Sequence, residues 1–302
     1  MSAENDGSSQ LPIGYEYNWE FDSAVYIAQS GTIDLTKARK GDTKDITVPM
    51  FKKPTGTGTV EDPYLISNAS QLRWFASQVN DNGKNSICAQ LTNDIDLNNV
   101  EWTPIGKNSS YPYKGTFDGQ GYEIKNLKID SASSDQALFG YVNGGTVKNL
   151  TVSGSVKGGD STAGIIGELA GTSLVEKCMN KATVNGGNAV GGIVGKISTS
   201  NEKSIRYCAN EGTITGANQV GGIVGHAYNK VTVSSCYNRG AIEATVSKAG
   251  GIVGHMDDSS AKFSNCYTTG TVTGNSDVKP AFGKKSSGTI TNCYYLDTLG
   301  TD

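Results

Sequence analysis

A five-residue run closed by glycine returns along the second half of this chain at nearly constant spacing, and it restricts the fold more than any other feature. Ala163-Gly-Ile-Ile-Gly167 recurs as Gly191-Gly-Ile-Val-Gly195, Gly221-Gly-Ile-Val-Gly225 and Gly250-Gly-Ile-Val-Gly254. Weaker copies, Ala137-Leu-Phe-Gly140 and Pro280-Ala-Phe-Gly283, flank these. The closing glycines fall at 140, 167, 195, 225, 254 and 283, a period of 27–30 residues. Cys178, Cys208, Cys236, Cys266 and Cys293 follow their glycines by 10–13 residues, and Leu150 fills that slot in the first copy. Six residues further on stand Val156, Val184, Ile214, Ile242 and Val272. Three marks in phase over six copies define a repeat architecture.

Between the marks lie apolar islands of three to five residues, rich in β-branched side chains and without the i, i+3, i+4 spacing of a helix. They read as short strands. Three such strands joined by turns make one coil of a parallel β-helix, with coils stacked about 4.8 Å apart so that equivalent residues form ladders. One ladder is expected from Ile165, Ile193, Ile223 and Ile252. The five cysteines form another, facing inward as free thiols, because parallel stacked side chains suit packing better than an S–S bond. Glycines are expected at tight bends, where positive φ costs them nothing. A propeller would need blades of about 40–45 residues. Both residues of each Ile-Val pair are apolar although strand alternation sends one outward, so a covering neighbour is expected, either in a homotrimer or from the N-terminal segment.

Composition removes other classes. Glycine makes up 39 of 302 residues, yet no Gly-X-Y period runs through the chain and only 7 prolines occur, which excludes collagen. The apolar content is too high for a disordered tail. A net charge of −3 gives no reason to expect nucleic acid or an anionic membrane as partner. No apolar run approaches the roughly 18–20 residues of a membrane span. The acidic, polar start, Met1 to Asp6, does not read as a secretory signal. That fits a processed surface protein or one released by another route.

Two segments stand apart. Leu72, Phe75, Ala76 and Val79 keep helical spacing behind Asn68 and Gln71, which suit an N-cap and N3, so a helix over 68–80 is expected to cap the first coil. Residues 1–55 form an extension with short strands. Tyr15, Tyr17, Trp19 and Phe21 alternate there and mark it as a candidate docking module. The solenoid is expected over 56–302, with its regular repeats at 137–297.

Gly-Gly-Ile-Val-Gly followed by Cys236-Tyr-Asn-Arg-Gly240 resembles the GLUG-motif repeat of bacterial surface proteins. Gly58–Ile66, Asp94–Leu97, Trp102–Gly106 and Gly115–Gly119 are similar to the segment that opens many such β-helices. The resemblance implies a right-handed parallel β-helix with an adhesive or surface role, and it brings no catalytic residues.

The chemistry points the same way. Glycoside hydrolysis needs two carboxyl groups about 5–9.5 Å apart across a cleft. Asp94, Asp96, Glu101, Asp118 and the Asp257-Asp258 pair do not recur as an acidic set on neighbouring coils, and Asp118 suits a turn. No catalytic residue and no cofactor is expected. His226 and His255 both follow a Gly-Ile-Val-Gly run in the row of Tyr141, Glu168, Lys196 and Lys284. They are weak metal candidates, and a solvated polar ladder is the expectation. Aromatic residues carry the binding signal: Tyr237, Tyr267 and Tyr294 each follow a ladder cysteine, and Trp102, Tyr111 and Tyr113 lie in the longest loop. The expectation is therefore a non-enzymatic β-helix on a bacterial surface, binding glycan or protein. A phage virion protein attached to capsid proteins by residues 1–55, or a polysaccharide lyase or hydrolase, are the alternatives.

Overall fold

Each short apolar island gains its backbone partners from its own copy one coil away. A computed structural model describes residues 16–21, 29–34 and 52–296. Tyr64, Ala89, Phe117, Val147, Val175, Ile205, Val233, Phe263 and Ile290 pair in parallel register one after the next, nine rungs that enclose eight turns. The chain is a parallel β-helix, and its coiling begins well ahead of the regular repeats.

The chain divides into two compact units, Met1–Lys53 and Pro54–Asp302. In the first, β1 (Glu16–Phe21) and β2 (Gln29–Asp34) pair antiparallel, with Tyr17 opposite Ile33 and Trp19 opposite Gly31. Tyr15, and residues 22–28 and 35–51 of the extension, lie outside the described residues. In the second unit the helix is α1 (Ala69–Asn80). Asn68 accepts from the Gln71 N–H at 3.1 Å, and the Gln71 side chain accepts in turn from the Ser67 N–H at 2.8 Å. Leu72, Phe75, Ala76 and Val79 are all buried, with Phe75 edge-on to Tyr113 and Phe117. The helix packs its aromatics on the core of the first coils, and Thr55 bridges Leu65 at the outer edge of the first strand.

One wall of the solenoid is a six-stranded parallel sheet: β3 (Phe139–Asn143), β4 (Ile166–Ala170), β5 (Val194–Ile197), β6 (Val224–Ala227), β7 (Val253–Met256) and β8 (Phe282–Lys285). Ile165, Ile193, Ile223 and Ile252 stack just before it, fully buried. Their neighbours Ile166, Val194, Val224 and Val253 are fully buried as well. Alternation fails here because the first residue of each pair sits in a bend. The N–H groups of Ile193 and Val194 both donate to the Ile223 carbonyl, and those of Ile223 and Val224 both to Ile252. A corner turns both side chains inward, so the pair needs no outside cover, and the reason for expecting a trimer there falls away.

The closing glycines also have a different cause from the expected one. None of the six has positive φ. A Cβ on Gly254 would lie 2.3 Å from Gln219 C and Val220 N, so the glycine is there to let backbones of neighbouring coils approach. The left-handed bend falls instead just before each ladder cysteine or leucine: Asn149, Lys177, Tyr207, Ser235, Asn265 and Asn292 all have φ between 51° and 56°.

Polar groups are stacked inside too. Asn180, Asn210 and Asn238 are fully buried, two residues past their cysteines. Asn180 Nδ2 donates to Asn210 Oδ1 at 2.8 Å, Asn210 Nδ2 to Asn238 Oδ1 at 2.7 Å, and Asn238 Nδ2 to Thr268 Oγ1 at 3.1 Å. Each Nδ2 also donates to a carbonyl two residues on, at Ala182, Gly212 and Gly240.

Candidate functional site

The cysteine ladder sets the position of the tyrosines. Cys178, Cys208, Cys236 and Cys266 are buried and unbonded, and Cys293 is half-buried. Burial pushes the Cys208 and Cys236 thiols well up, so they stay protonated. With the cysteine inside, the next residue emerges on the surface. Tyr237, Tyr267 and Tyr294 are register partners on three successive coils. The Tyr237 and Tyr267 rings stack at 5.3 Å and 12°, and the Arg239 guanidinium lies 4.9 Å from the Tyr237 centroid. Tyr237 thus has its ring engaged by two neighbours. Exposure rises to 37% at Tyr267 and 65% at Tyr294, so the strip offers phenol edges along its length and its freest ring at the last coil. Tyr207 is 57% exposed at one of the left-handed bends, where no repeat mark in the sequence points to it.

Two of the loop aromatics are not surface residues. Trp102 is buried, its Nε1 donates to the Leu138 carbonyl at 3.1 Å, and Arg73 lies 5.3 Å from its ring. Tyr113 is fully buried, and its hydroxyl donates to the Ile87 carbonyl at 3.1 Å. The stretch expected to be a loop makes parallel bridges to β3, from Ile105 to Phe139 and from Tyr113 to Val142. It is an irregular part of the second coil, and Trp102 and Tyr113 fill the core there. Tyr111 remains on the surface, 41% exposed, with Lys107 Nζ 4.4 Å from its ring centroid.

The surface carboxylates are occupied in turns. Asp94 is bound by Lys125 Nζ at 2.7 Å and by the Glu123 N–H. Asp96 accepts from Asn126 and from the Asn98 N–H. Asp118 accepts from Asn149 and the Gln120 N–H, with Lys148 at 3.2 Å. These bonds hold the Asp94 and Asp96 carboxyls below the usual range, and at Asp118 they outweigh the opposing effect of burial. Carboxyls held ionised in this way are poor general acids.

Asp135 behaves in the opposite way, and its position in a turn concealed it. It lines a cleft of about 600 Å³ with Trp102 and Gln136. Burial, followed by the nearby Glu168 carboxylate, pushes its pKa up from 3.8 to about 6, against Lys196 and a bond from Ser161. A carboxyl raised in the folded state is protonated in both states only well below the ordinary value of 3.8, at about pH 3. As pH rises towards 6 the unfolded chain ionises first, and stability falls. Asp135→Asn should match the parent near pH 3 and exceed it at pH 7 by on the order of 1 kcal/mol, discounted for partial exposure. Urea midpoints at the two pH values check this. Asparagine also tolerates the φ of 58° at this site.

The two histidines are not solvated. His226 and His255 are 9% and 8% exposed and stack at 4.9 Å and 12° on β6 and β7. Asp257 Oδ2 lies 3.0 Å from His226 Nε2 and 3.8 Å from His255 Nδ1. His255 Nε2 is 3.1 Å from Ser286 Oγ. Burial lowers the pKa of both rings; for His255 the neighbouring His226 adds to this, and the value falls to about 4. Both imidazoles are therefore neutral near pH 7. Among the described residues, these three form the one group of histidine, cysteine and acidic side chains whose donor atoms could hold a metal ion.

No family model matches the chain. Over 133 residues it is 31% identical to Halomucin of Haloquadratum walsbyi, covering 39% of this chain and 1% of that protein. Over 130 residues it is 32% identical to a "Putative Gly-rich membrane protein" of Evansella cellulosilytica, covering 39% of this chain and 14% of the relative. The chain therefore spans a small part of the curated relatives it matches. The crystal structure of "a putative immunoglobulin A1 protease from Bacteroides ovatus" superposes with a TM-score of 0.67 at 26% identity, over 82% of this chain and 79% of that one. Among the described residues no helix is long and apolar enough to cross a membrane.

Proposed function

We propose that this chain is a non-enzymatic β-solenoid displayed at a cell surface, where the strip Tyr237–Tyr267–Tyr294 binds glycan. The carrying observation is that three aromatic residues share one register row and grow more exposed towards the last coil. A solenoid has no deep central cavity, so its ligands meet it on a lateral face, and repeated rows suit repeated ligands. Tyrosine gives an apolar face for a sugar ring and a hydroxyl for its polar rim. A relative named as a membrane protein supports display at a cell envelope rather than on a virion. The GLUG-like repeat agrees with a surface role.

The protease-named neighbour favours a second reading, a hydrolase built on Asp257, His255 and Ser286. Its geometry is weak: the Asp257–His255 separation is 3.8 Å, and a pKa near 4 makes His255 a poor base at neutral pH. The Ser286 N–H, a natural oxyanion donor, is already given to the Met256 carbonyl.

A glycan array probed with the parent chain and with a Tyr237→Ala, Tyr267→Ala, Tyr294→Ala triple variant tests the first reading. Binding by the parent that the triple variant loses is expected. An array to which the parent does not bind would remove the glycan and leave a protein ligand for the strip.

A further inference from the structure

We propose that His226, His255 and Asp257 form a binding site for a divalent transition-metal ion of the zinc type, with Ser286 orienting one of the imidazoles. The cluster arises from the repeat. His226 and His255 are register partners one coil apart, and Asp257 follows two residues after His255 at the end of β7. Each contributes one donor atom, and these atoms lie within 4.8 Å of one another.

Two orphaned atoms indicate the occupant. His255 Nδ1 and Asp257 Oδ1 are both buried and without a hydrogen-bond partner. Buried polar atoms without partners are costly and call for an explanation. Ser286 Oγ accepts from His255 Nε2–H in the tautomer that leaves Nδ1 as a bare lone pair facing Asp257. The carboxylate is another acceptor. His255 Nδ1 lies 3.8 Å from Asp257 Oδ2, the oxygen that also meets His226 Nε2, while Oδ1 is left without a donor; a cation among the three side chains would satisfy the lone pairs that no hydrogen bond reaches.

The distances agree. With metal–donor bonds near 2.0–2.1 Å, the donors of a tetrahedral site stand about 3.3 Å apart. Asp257 Oδ2 is 3.0 Å and 3.8 Å from the two imidazole nitrogens, on either side of that figure. Two imidazoles and one carboxylate select zinc, cobalt or nickel over calcium or magnesium. The link from His255 to Ser286 is the outer-shell bond that metal-bound histidines usually make.

The surrounding charges set what completes the site. Lys196 and Lys284 flank the histidines in the same row, and Lys248 also acts on both. Lys196 is paired with Glu168 at 3.3 Å and Lys284 with Asp277 at 3.6 Å, which reduces their repulsion of a metal ion. The remaining positive field favours an anionic fourth ligand, hydroxide or a carboxylate.

Titration of the metal-stripped full chain with Zn2+ alone, by calorimetry and by metal analysis after dialysis, tests the site. One ion per chain is expected, with at least hundredfold weaker binding in His255→Gln and Asp257→Asn. Ser286→Ala should weaken binding about 10–100-fold. Cys293→Ser should leave it unchanged, and the Co2+ form should lack a thiolate charge-transfer band. Zn2+ should raise the melting temperature of the parent and not that of Asp257→Asn, a partly exposed position where folding is the least at risk. Absence of uptake, or uptake equal in the parent and Asp257→Asn, overturns the site. Labelling of Ser286 by a fluorophosphonate probe overturns it in favour of the hydrolase.

Discussion

Asn210→Leu should cost about 3–5 kcal/mol in urea unfolding, one of the two largest losses expected from a single replacement in this chain. Asn210 is the middle of the buried file, and leucine would break three bonds together. Asn180 Nδ2 loses its 2.8 Å acceptor, Asn238 Oδ1 its 2.7 Å donor, and the Gly212 carbonyl its 2.9 Å donor. Water cannot replace them, because the side chain is fully buried and lies against glycine: a Cβ on Gly192 would stand 2.4 Å from Asn210 Oδ1. Asn210→Thr should lose roughly half as much, since the hydroxyl of Thr268 already closes the file one coil beyond Asn238. A loss below about 1 kcal/mol for leucine would show that the file adds little to stability.

Gly225→Ala should be comparably damaging, about 3–5 kcal/mol, although it adds a single carbon. That carbon would lie 2.5 Å from Val190 N, 2.6 Å from Ala189 C and 2.6 Å from Gly195 O. All three are backbone atoms, so no side chain can rotate away, and whole coils must separate. A Cβ on Gly195 or Gly254 would likewise meet backbone, at 2.7 Å and 2.3 Å, which carries the displacement along the stack. Gly83 is the comparison. It has φ of 64° but nothing within 4 Å of an added Cβ. Gly83→Ala should therefore cost only the conformational strain, on the order of 1 kcal/mol. Near-equal losses at the two sites would contradict an origin in coil-to-coil contact.

The difference between these glycines shows what the sequence made legible. The period, the inward cysteines, the isoleucine ladder and the capping helix were all readable, because each is spelled by residue type at fixed spacing. The corners were not. The left-handed positions hold Asn, Lys, Tyr and Ser, residue types with no common preference; their conformation is imposed by stacking on the coils above and below. The asparagine file was hidden because it spans only three coils, with Val152 before it and Thr268 after. Trp102 and Tyr113 misled because Gly, Asn, Ser and Pro around them read as loop, whereas irregular bridges make that stretch part of the core. Period placed His226 beside His255, but only the fold shows Asp257 turning back beneath them with its second oxygen buried and unpartnered.

The binding role of the tyrosine strip has a direct measurement. Calorimetric titration of the best-bound array glycan against single-ring variants should rank them by the freedom of the ring. Tyr294→Ala should weaken binding about tenfold or more, Tyr267→Ala less, and Tyr237→Ala least, its ring being stacked on Tyr267 and met by Arg239. Tyr111→Ala, on a separate patch, should bind as the parent does. Equal affinity in all four variants would contradict the strip as the binding surface.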